Sequence, residues 1–402
     1  MKNNFSEISD AVKDIKDGKM IIVADNPLRE NEGDLVCAAQ KVTPKIINFM
    51  VKFGRGLICA PAKRDILEKL NIRDMVEKST EKKGCAFMVS VDFKEGTTTG
   101  ISAFDRALTI KKLIDPSSKS DDFAKPGHIF PLAAKDGGVF KRAGHTEAAV
   151  DLAILAGLKP AAVICEIMKE DGTMAKIPDL MKFAKKHKLK IITVEELIKY
   201  RKQKENFVAE IVRADFPTRY GHFKIALFKD HISNEEHLAI IKGNVRGKEK
   251  VLTRLHSSCA TGDIFHSQRC DCGPQLEMAL ANIEESGEGV VLYMDQEGRG
   301  IGLANKLKAY VLQEKGLDTV DANIALGFAP DLRDYAACAK ILTALGVKSV
   351  MLMTNNPKKI KGLQDFGLKV EKAVAIEIEH TKFNKEYLKT KKNKMGHSLK
   401  KI

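Results

Sequence analysis

The chain has 402 residues, of which 44% are hydrophobic and 30% charged, with eight cysteines and a formal net charge of +14. That length predicts two to three domains with cores of their own, and no apolar run approaches the ~20 residues a membrane helix needs. "MKNNFSEISDAVKDIKDGK" lacks a signal-type apolar core, so a cytoplasmic protein with reduced thiols is expected. The positive charge is spread over both halves, and there is no Trp and only six Tyr to stack bases. It reads as a lysine-rich surface that suits small phosphorylated substrates, with no nucleic-acid or membrane partner.

In the first half, "MIIVAD" (20–25), "GLICA" (56–60), "AFMVSV" (86–91), "AAVICEI" (161–167) and "KIITV" (190–194) predict strands. "TPKIINFMVKFG" (43–54), "TEAAVDLAILAGL" (146–158) and "DLMKFAKKHK" (179–188) have helical spacing. Polar groups gather between these elements. In "RENEGD" (29–34), Glu30, Glu32 and Asp34 alternate, so an extended segment would point all three one way, toward a hard cation. "KRAGHTEAAVDLA" sets Arg142, Ala143, Gly144, His145 and Thr146 at a helix start, where free amides favour phosphate. "GTTTG" (96–100) offers hydroxyls, "KPGHIFPL" (125–132) sets His128 in a Pro-Gly turn, and "ICEIM" buries Glu166 in an apolar strand. A buried carboxylate needs a partner or a task.

"EELIKYRKQKENF" (195–207) is polar and lacks an apolar period, which places a boundary near residue 203 and domains at 1–203 and 204–402. Beyond it, "VAEIVRADF", "GVVLYMDQ" (289–296) and "KSVMLMTN" (348–355) predict strands, and "DYAACAKILTALG" (334–346) a helix. Both halves are therefore expected to be mixed α and β. The basic tail "YLKTKKNKMGHSLKKI" (387–402) reads as mobile.

Three of the eight cysteines fall in "RLHSSCATGDIFHSQRCDCGPQLE" (254–277). Cys259, Cys270 and Cys272 form a C-x10-C-x-C pattern of soft ligands suited to zinc. A closed structural site would add His256 or His266; a catalytic site would keep a water as fourth ligand. "DQEGRGIGL" (295–303) follows a strand with glycines that let amides approach an anion, and Arg299 adds a fork of donors. "DLRDY" (331–335) and "MTNNPKKI" (353–360) add an arginine, carboxylates and lysines; alone, "DLRDY" reads as an Asp-rich helix start.

Together these second-half motifs, with "NKLKAY" and "LGFAPDLRDY", closely resemble GTP cyclohydrolase II over nearly all of residues 207–400. The resemblance implies that Cys259, Cys270 and Cys272 bind zinc, which activates water to open the imidazole ring of guanine and release formate. It further implies Arg333 as the nucleophile that displaces pyrophosphate, Asp331 as proton acceptor and Tyr310 as an active-site tyrosine. Arg254, Leu255, His256, Ser257, Ser258, Gln275, Glu297, Gly298, Arg299, Thr319, Thr354 and Lys359 match GTP-binding positions, with magnesium accompanying the nucleotide. The chain departs from the family at Ser258, where Glu is usual, and at His266, where glycine is common.

Residues 1–200 resemble 3,4-dihydroxy-2-butanone 4-phosphate synthase through "RENEGDL", "GTTTGISAFDRA", "KPGHIFPL", "KRAGHTEAAVDLA" and "ICEIMKEDGTMA". That resemblance implies an α+β domain acting on ribulose 5-phosphate with magnesium or manganese held by Glu30 and His145. Arg29, Asp34, Arg142 to Thr146 and Glu166 would hold substrate, while His128 and Glu166 would serve acid–base steps. Asp105 and Ala133 replace a usual Glu and Arg. The order of the halves resembles bifunctional riboflavin-pathway enzymes, for which a homodimer is expected. Two readings stay open here: two independent active sites, or an active synthase joined to a zinc- and GTP-binding module, which Ser258 favours.

Overall fold

The computed structural model describes residues 5–402, and the chain divides into two compact units between Arg201 and Lys202. Each unit is built on a seven-stranded mixed sheet. In the first, β1 (Ile21–Ala24), β2 (Gly33–Ala38), β3 (Cys59–Lys63), β4 (Val91–Phe93), β5 (Phe123–Ala134), β6 (Ala162–Glu166) and β7 (Lys190–Thr193) run in the order β4-β5-β3-β6-β2-β1-β7. The neighbouring inner strands β1 and β2 are largely apolar and buried on both faces, as strands covered on each side by other elements must be. Ile22, Ala24, Leu35 and Cys37 join one core, and Ile21, Val23, Val36 and Ala38 the other, the period of two expected of a pleated strand.

The second unit holds β8 (Val208–Thr218), β9 (Gly221–Asp230), β10 (Glu236–Lys242), β11 (Val251–Ser257), β12 (Gly289–Met294), β13 (Ser349–Met353) and β14 (Lys369–Val374). Their order is β14-β13-β11-β12-β10-β9-β8. Strands β8, β9, β10 and β12 form an antiparallel meander; β12, β11, β13 and β14 are parallel. Loops from the carboxyl ends of β11, β12 and β13 therefore emerge on one edge, where ligands bind in open sheets with parallel strands.

Four expectations change. The stretch 195–207, read as lacking an apolar period, is mostly helical: Val194–Lys204 is a helix that buries Val194 and Leu197, and its Glu, Lys and Gln residues are good helix formers. His128 lies inside the long strand β5 and not in a turn. Of "AFMVSV" only Val91 enters a strand, while β3 begins three residues later than "GLICA" suggested. The basic tail is ordered as a helix, Lys385–Asn393, followed by packed coil, because Leu388, Met395 and Leu399 are buried. Among the described residues no helix is long and apolar enough to cross a membrane.

Two candidate active sites

The first site forms where β2, β6 and the helix His145–Leu155 meet. Asp34, the second residue of β2, lies directly opposite Glu166, the last residue of β6. Alternation along one extended segment is not what assembles the acidic group, because Asn31 has φ +56° and the strand starts only at Gly33. A turn brings Glu30 back, braced by Asp25, a residue that sequence reasoning missed. Asp25 Oδ2 accepts from Arg29 Nη1 at 2.9 Å and from the Glu30 amide at 3.2 Å, and Oδ1 accepts from the Glu32 amide at 2.9 Å. Glu32 instead faces Lys176, at 3.8 Å.

His145 Nδ1 lies 3.9 Å from both Glu30 Oε2 and Asp34 Oδ1. These gaps exceed a hydrogen bond but fall within the roughly 3.0–4.2 Å span of two ligands on an octahedral ion with ~2.1 Å bonds. Asp34 Oδ1 and His145 Nε2 are buried without partners, and ligand atoms of Asp25, Glu30 and His145 lie within 4.8 Å of one another. The donor set thus fits a hard divalent cation. Burial first, then the charges of Glu166 and Glu30, push the Asp34 carboxyl well above its ordinary value. Burial likewise lowers His145, favouring the neutral, ligating imidazole.

The helix starting at His145 has no side-chain cap at Gly144, so its first amides are open to a ligand. A Cβ at Gly144 would come within 2.4 Å of Arg142 Nη1 and 3.2 Å of Arg29 Nη2, so both guanidiniums crowd this helix start. Ala143 and Thr146 flank it, and Thr146 Oγ1 lies 3.7 Å from Cys85 Sγ. Arg142 is held by Glu147 at 2.7 Å, another group missed from sequence. Glu166 is half-buried at the strand end, not sunk within the strand, and its Oε2 accepts from the Leu57 amide at 2.8 Å. His128 pairs with Asp92 at 2.6 Å; among the described residues no hydrogen bond or ion pair links it to Glu30, Asp34 or His145. Asp105 accepts from the Thr98 amide and hydroxyl and from the Gly100 amide, bracing the "GTTTG" loop.

The second site lies at the carboxyl ends of β11, β12 and β13. Cys259 follows β11, while Cys270 and Cys272 lead into the helix Cys272–Ser286. Cys259 and Cys270 sulfurs are 3.8 Å apart, the spacing of about 3.8 Å that a tetrahedral zinc with ~2.3 Å bonds imposes. All three sulfurs lie within 4.8 Å of one another, and no His, Asp or Glu completes the group among the described residues. His256 is engaged elsewhere, with Nε2 3.1 Å from Asp263, and His266 is exposed. A Cβ at Gly262 would come within 2.8 Å of Cys270 Sγ, so only glycine leaves the sulfurs clear. Hydrogen bonds with Cys270 and Cys272, then the ammonium of Lys306 at 3.1 Å, hold the Cys259 thiol far below its ordinary value. Lys306, which the motifs did not single out, also pairs with Glu297 at 2.7 Å.

A pocket of about 1180 Å³, counted to its open mouth, joins these sulfurs to most of the other expected residues. Arg254, His256, Ser257, Ser258, Gln275, Glu297, Gly298, Arg299, Tyr310, Thr319, Arg333, Thr354 and Lys359 all line it. Leu255 and Asp331 do not, but each positions a cation that does. The Leu255 carbonyl accepts from Lys359 Nζ at 2.6 Å, and Asp331 grips Arg333 through Nε and Nη2, both at 2.8 Å. "DLRDY" is thus a loop ahead of the helix Ala336–Ala344, not its first turn. Gly298 and Arg299 adopt φ of 62° and 65°, and both terminal nitrogens of Arg299 are buried without partners. Ser258 Oγ accepts from the Gln296 amide at 3.2 Å, and Tyr310 Oη lies 3.1 Å from Thr261 Oγ1.

Two mixed sheets, each with a cluster of potential metal ligands beside arginines, define a two-domain enzyme with a separate centre in each domain. Residues 9–200 match 3,4-dihydroxy-2-butanone 4-phosphate synthase, and residues 209–375 match GTP cyclohydrolase II. Riboflavin biosynthesis protein RibBA of Endomicrobium trichonymphae is 64% identical with full coverage of both chains. Its namesake in Aquifex aeolicus is 57% identical over 98% of each. The crystal structure of RibBX, a two-domain 3,4-dihydroxy-2-butanone 4-phosphate synthase from A. baumannii, superposes with a TM-score of 0.67 at 37% identity, covering 92% of this chain and all of that one. The chain belongs to the family of bifunctional riboflavin biosynthesis proteins, and its domains are a 3,4-dihydroxy-2-butanone 4-phosphate synthase followed by a GTP cyclohydrolase II.

Proposed function

We propose that the N-terminal domain converts ribulose 5-phosphate to 3,4-dihydroxy-2-butanone 4-phosphate and formate. The C-terminal domain hydrolyses GTP to 2,5-diamino-6-(5-phosphoribosylamino)pyrimidin-4-one, formate and pyrophosphate. The observation that carries this reading is the pairing, in each domain, of a ligand cluster with arginines at a place open to phosphate.

In the first domain Glu30 and His145 hold magnesium or manganese, which supplies Lewis acidity toward the substrate carbonyl. Arg29, Arg142 and the amides from Gly144 to Thr146 take the phosphate. Glu166, oriented by the Leu57 amide, and His128, oriented by Asp92, exchange protons with the substrate, which Asp34 helps to hold. In the second domain Cys259, Cys270 and Cys272 hold zinc, which supplies Lewis acidity for hydrolytic opening of the guanine ring. Arg254 and Gln275, hydrogen-bonded to each other, shape the nucleotide pocket, and Arg299 and Lys359 offset the negative charge that a magnesium ion would leave on the phosphates. Arg333 attacks the α-phosphorus after giving a proton to Asp331, its hydrogen-bond partner; a nitrogen–phosphorus bond forms as the bond to the pyrophosphate oxygen breaks. Water then cleaves that nitrogen–phosphorus bond, leaving the oxygen on the product phosphate and returning a proton to Arg333. Exposed apolar side chains on each unit, Ile101 and Phe104 in one and Ile211 and Val212 on edge strand β8 in the other, support a homodimer. We place the protein in the cytoplasm.

The test is to supply purified protein with magnesium and either substrate. Formate from ribulose 5-phosphate, and formate plus pyrophosphate from GTP, are expected, with close to one zinc per chain. Formate from ribulose 5-phosphate alone would make the C-terminal domain a binding module and overturn that half of the reading.

A further inference from the structure

We propose that the C-terminal segment, from Lys385 to Ile402, is part of the nucleotide site, with His397 and Lys391 as ligands of the triphosphate. The inference rests on reading this pocket as the GTP site. Tyr387, Lys391, Met395, His397 and Leu399 line the pocket alongside the zinc-type cysteines. Three attachments hold the segment there. Lys391 Nζ lies 2.6 Å from Asp271 Oδ1, in the loop between Cys270 and Cys272. The Ser398 amide donates to the Asn355 carbonyl at 2.9 Å, beyond β13. The Lys400 and Lys401 amides donate to the Glu377 carboxylate at 3.0 Å.

His397 belongs to a group of buried nitrogens left without partners in this pocket. Its Nε2 is buried without a partner, as are Arg299 Nη1 and Nη2, Arg254 Nε and Asn356 Nδ2, and all four residues line the same pocket. Burial, then Lys391, Arg333, Lys359 and Arg299, push the imidazole down to about 3. A neutral imidazole can donate one hydrogen bond without adding charge to this crowded cationic corner. Lys391 uses one of its donors on Asp271 and has others to spare. Buried donors left unsatisfied are costly, and several cations with free donors at one place match a polyanion whose oxygens each accept more than one bond. A purine edge offers at most about two or three acceptors and no charge, so it would leave the cationic excess of this corner in place. The segment therefore recognises the polyphosphate end of the nucleotide and closes over it.

The experiment uses the full, zinc-loaded chain with inorganic pyrophosphate as the calorimetric probe, alongside GTP turnover. His397→Ala is expected to weaken pyrophosphate binding and raise KM for GTP by roughly tenfold each, the loss of one hydrogen bond to a charged group. His397→Gln, which keeps a donor, should recover part of both. An unchanged synthase rate in each variant reports that the protein is folded. Unchanged pyrophosphate affinity and KM in His397→Ala, with normal GTP turnover by the parent, would overturn this inference and leave the proposed function standing. A parent that releases no formate from GTP, yet binds pyrophosphate more tightly than His397→Ala, would overturn the GTP reading and keep the polyphosphate site. A parent that binds no pyrophosphate overturns the inference.

Discussion

Carboxylates from Asp25, Glu30, Asp34 and Glu166 gather around His145 in the N-terminal domain, whereas Arg254, Arg299, Arg333, Lys359 and Lys391 gather around one pocket in the C-terminal domain. Each group carries an excess of one sign that the protein does not neutralise. In the first, burial and neighbouring acids make Asp34 reluctant to ionise. In the second, burial and then Arg254 and Arg333 push Lys359 well below the usual lysine range. An uncompensated buried charge is expensive, so each excess suits a ligand of opposite charge: a hard cation in one domain, an anion in the other. The contrast extends to the ligand atoms, oxygen and nitrogen in the first and sulfur in the second.

Exchange of effects between the domains would break this comparison most directly. Cys270→Ser is expected to strip the zinc and cut GTP turnover by at least ~100-fold, with synthase activity unchanged. His145→Ala should do the reverse. Zinc content by mass spectrometry and formate release from each substrate check both variants, and loss of both activities from either change would mean the centres are not independent.

A smaller effect sharpens the charge contrast. Ser258 adjoins the first sulfur ligand and carries only a hydroxyl, engaged with the Gln296 amide. In Ser258→Glu a carboxylate enters the cationic pocket, where it can orient water or accept a proton. An increase in kcat for GTP of about 10-fold is expected, the lower end of what groups adjoining metal ligands contribute. A fall in kcat would show that the pocket is adapted to serine.

The smallest expected effect lies in stability against pH. Burial acts to raise the Asp331 carboxyl, but the Arg333 fork outweighs it and holds the group below 3.8. A carboxylate depressed in the folded state contributes stability that is present above its unfolded value and lost as pH falls through its folded one. In Arg333→Met the fork is gone and burial is opposed only by the residue-333 amide and Arg299, so Asp331 rises relative to the parent. The difference in unfolding free energy between the two proteins should be about 1–2 kcal/mol at neutral pH and close as the solution is acidified through the carboxylate range. Urea titrations at pH 7 and at about pH 2.5, below the unfolded carboxylate value, measure it; a difference that widens on acidification would contradict the assigned pair.

Residue chemistry and local spacing were legible without coordinates. Cys270 and Cys272 are separated by one residue and precede a helix, so short-range geometry already places both near one point. The long apolar runs of β1, β6 and β12 announce strands because their burial leaves a continuous local pattern. Asp25 was not legible, because its role is to accept backbone amides, and any acidic residue at the end of a strand looks the same in sequence. The C-terminal segment was misread as mobile, since its lysines mask the sparse apolar set Leu388, Met395 and Leu399. Lys359 reaches the Leu255 carbonyl across 104 residues and Lys391 reaches Asp271 across 120. Contacts at such separations leave no periodicity in either partner's neighbourhood. Which ligands and charges are available, and in what local order, follows from the residues of the chain. Which distant ones share a buried space depends on how the chain packs, because that is where desolvation turns a residue type into a binding group.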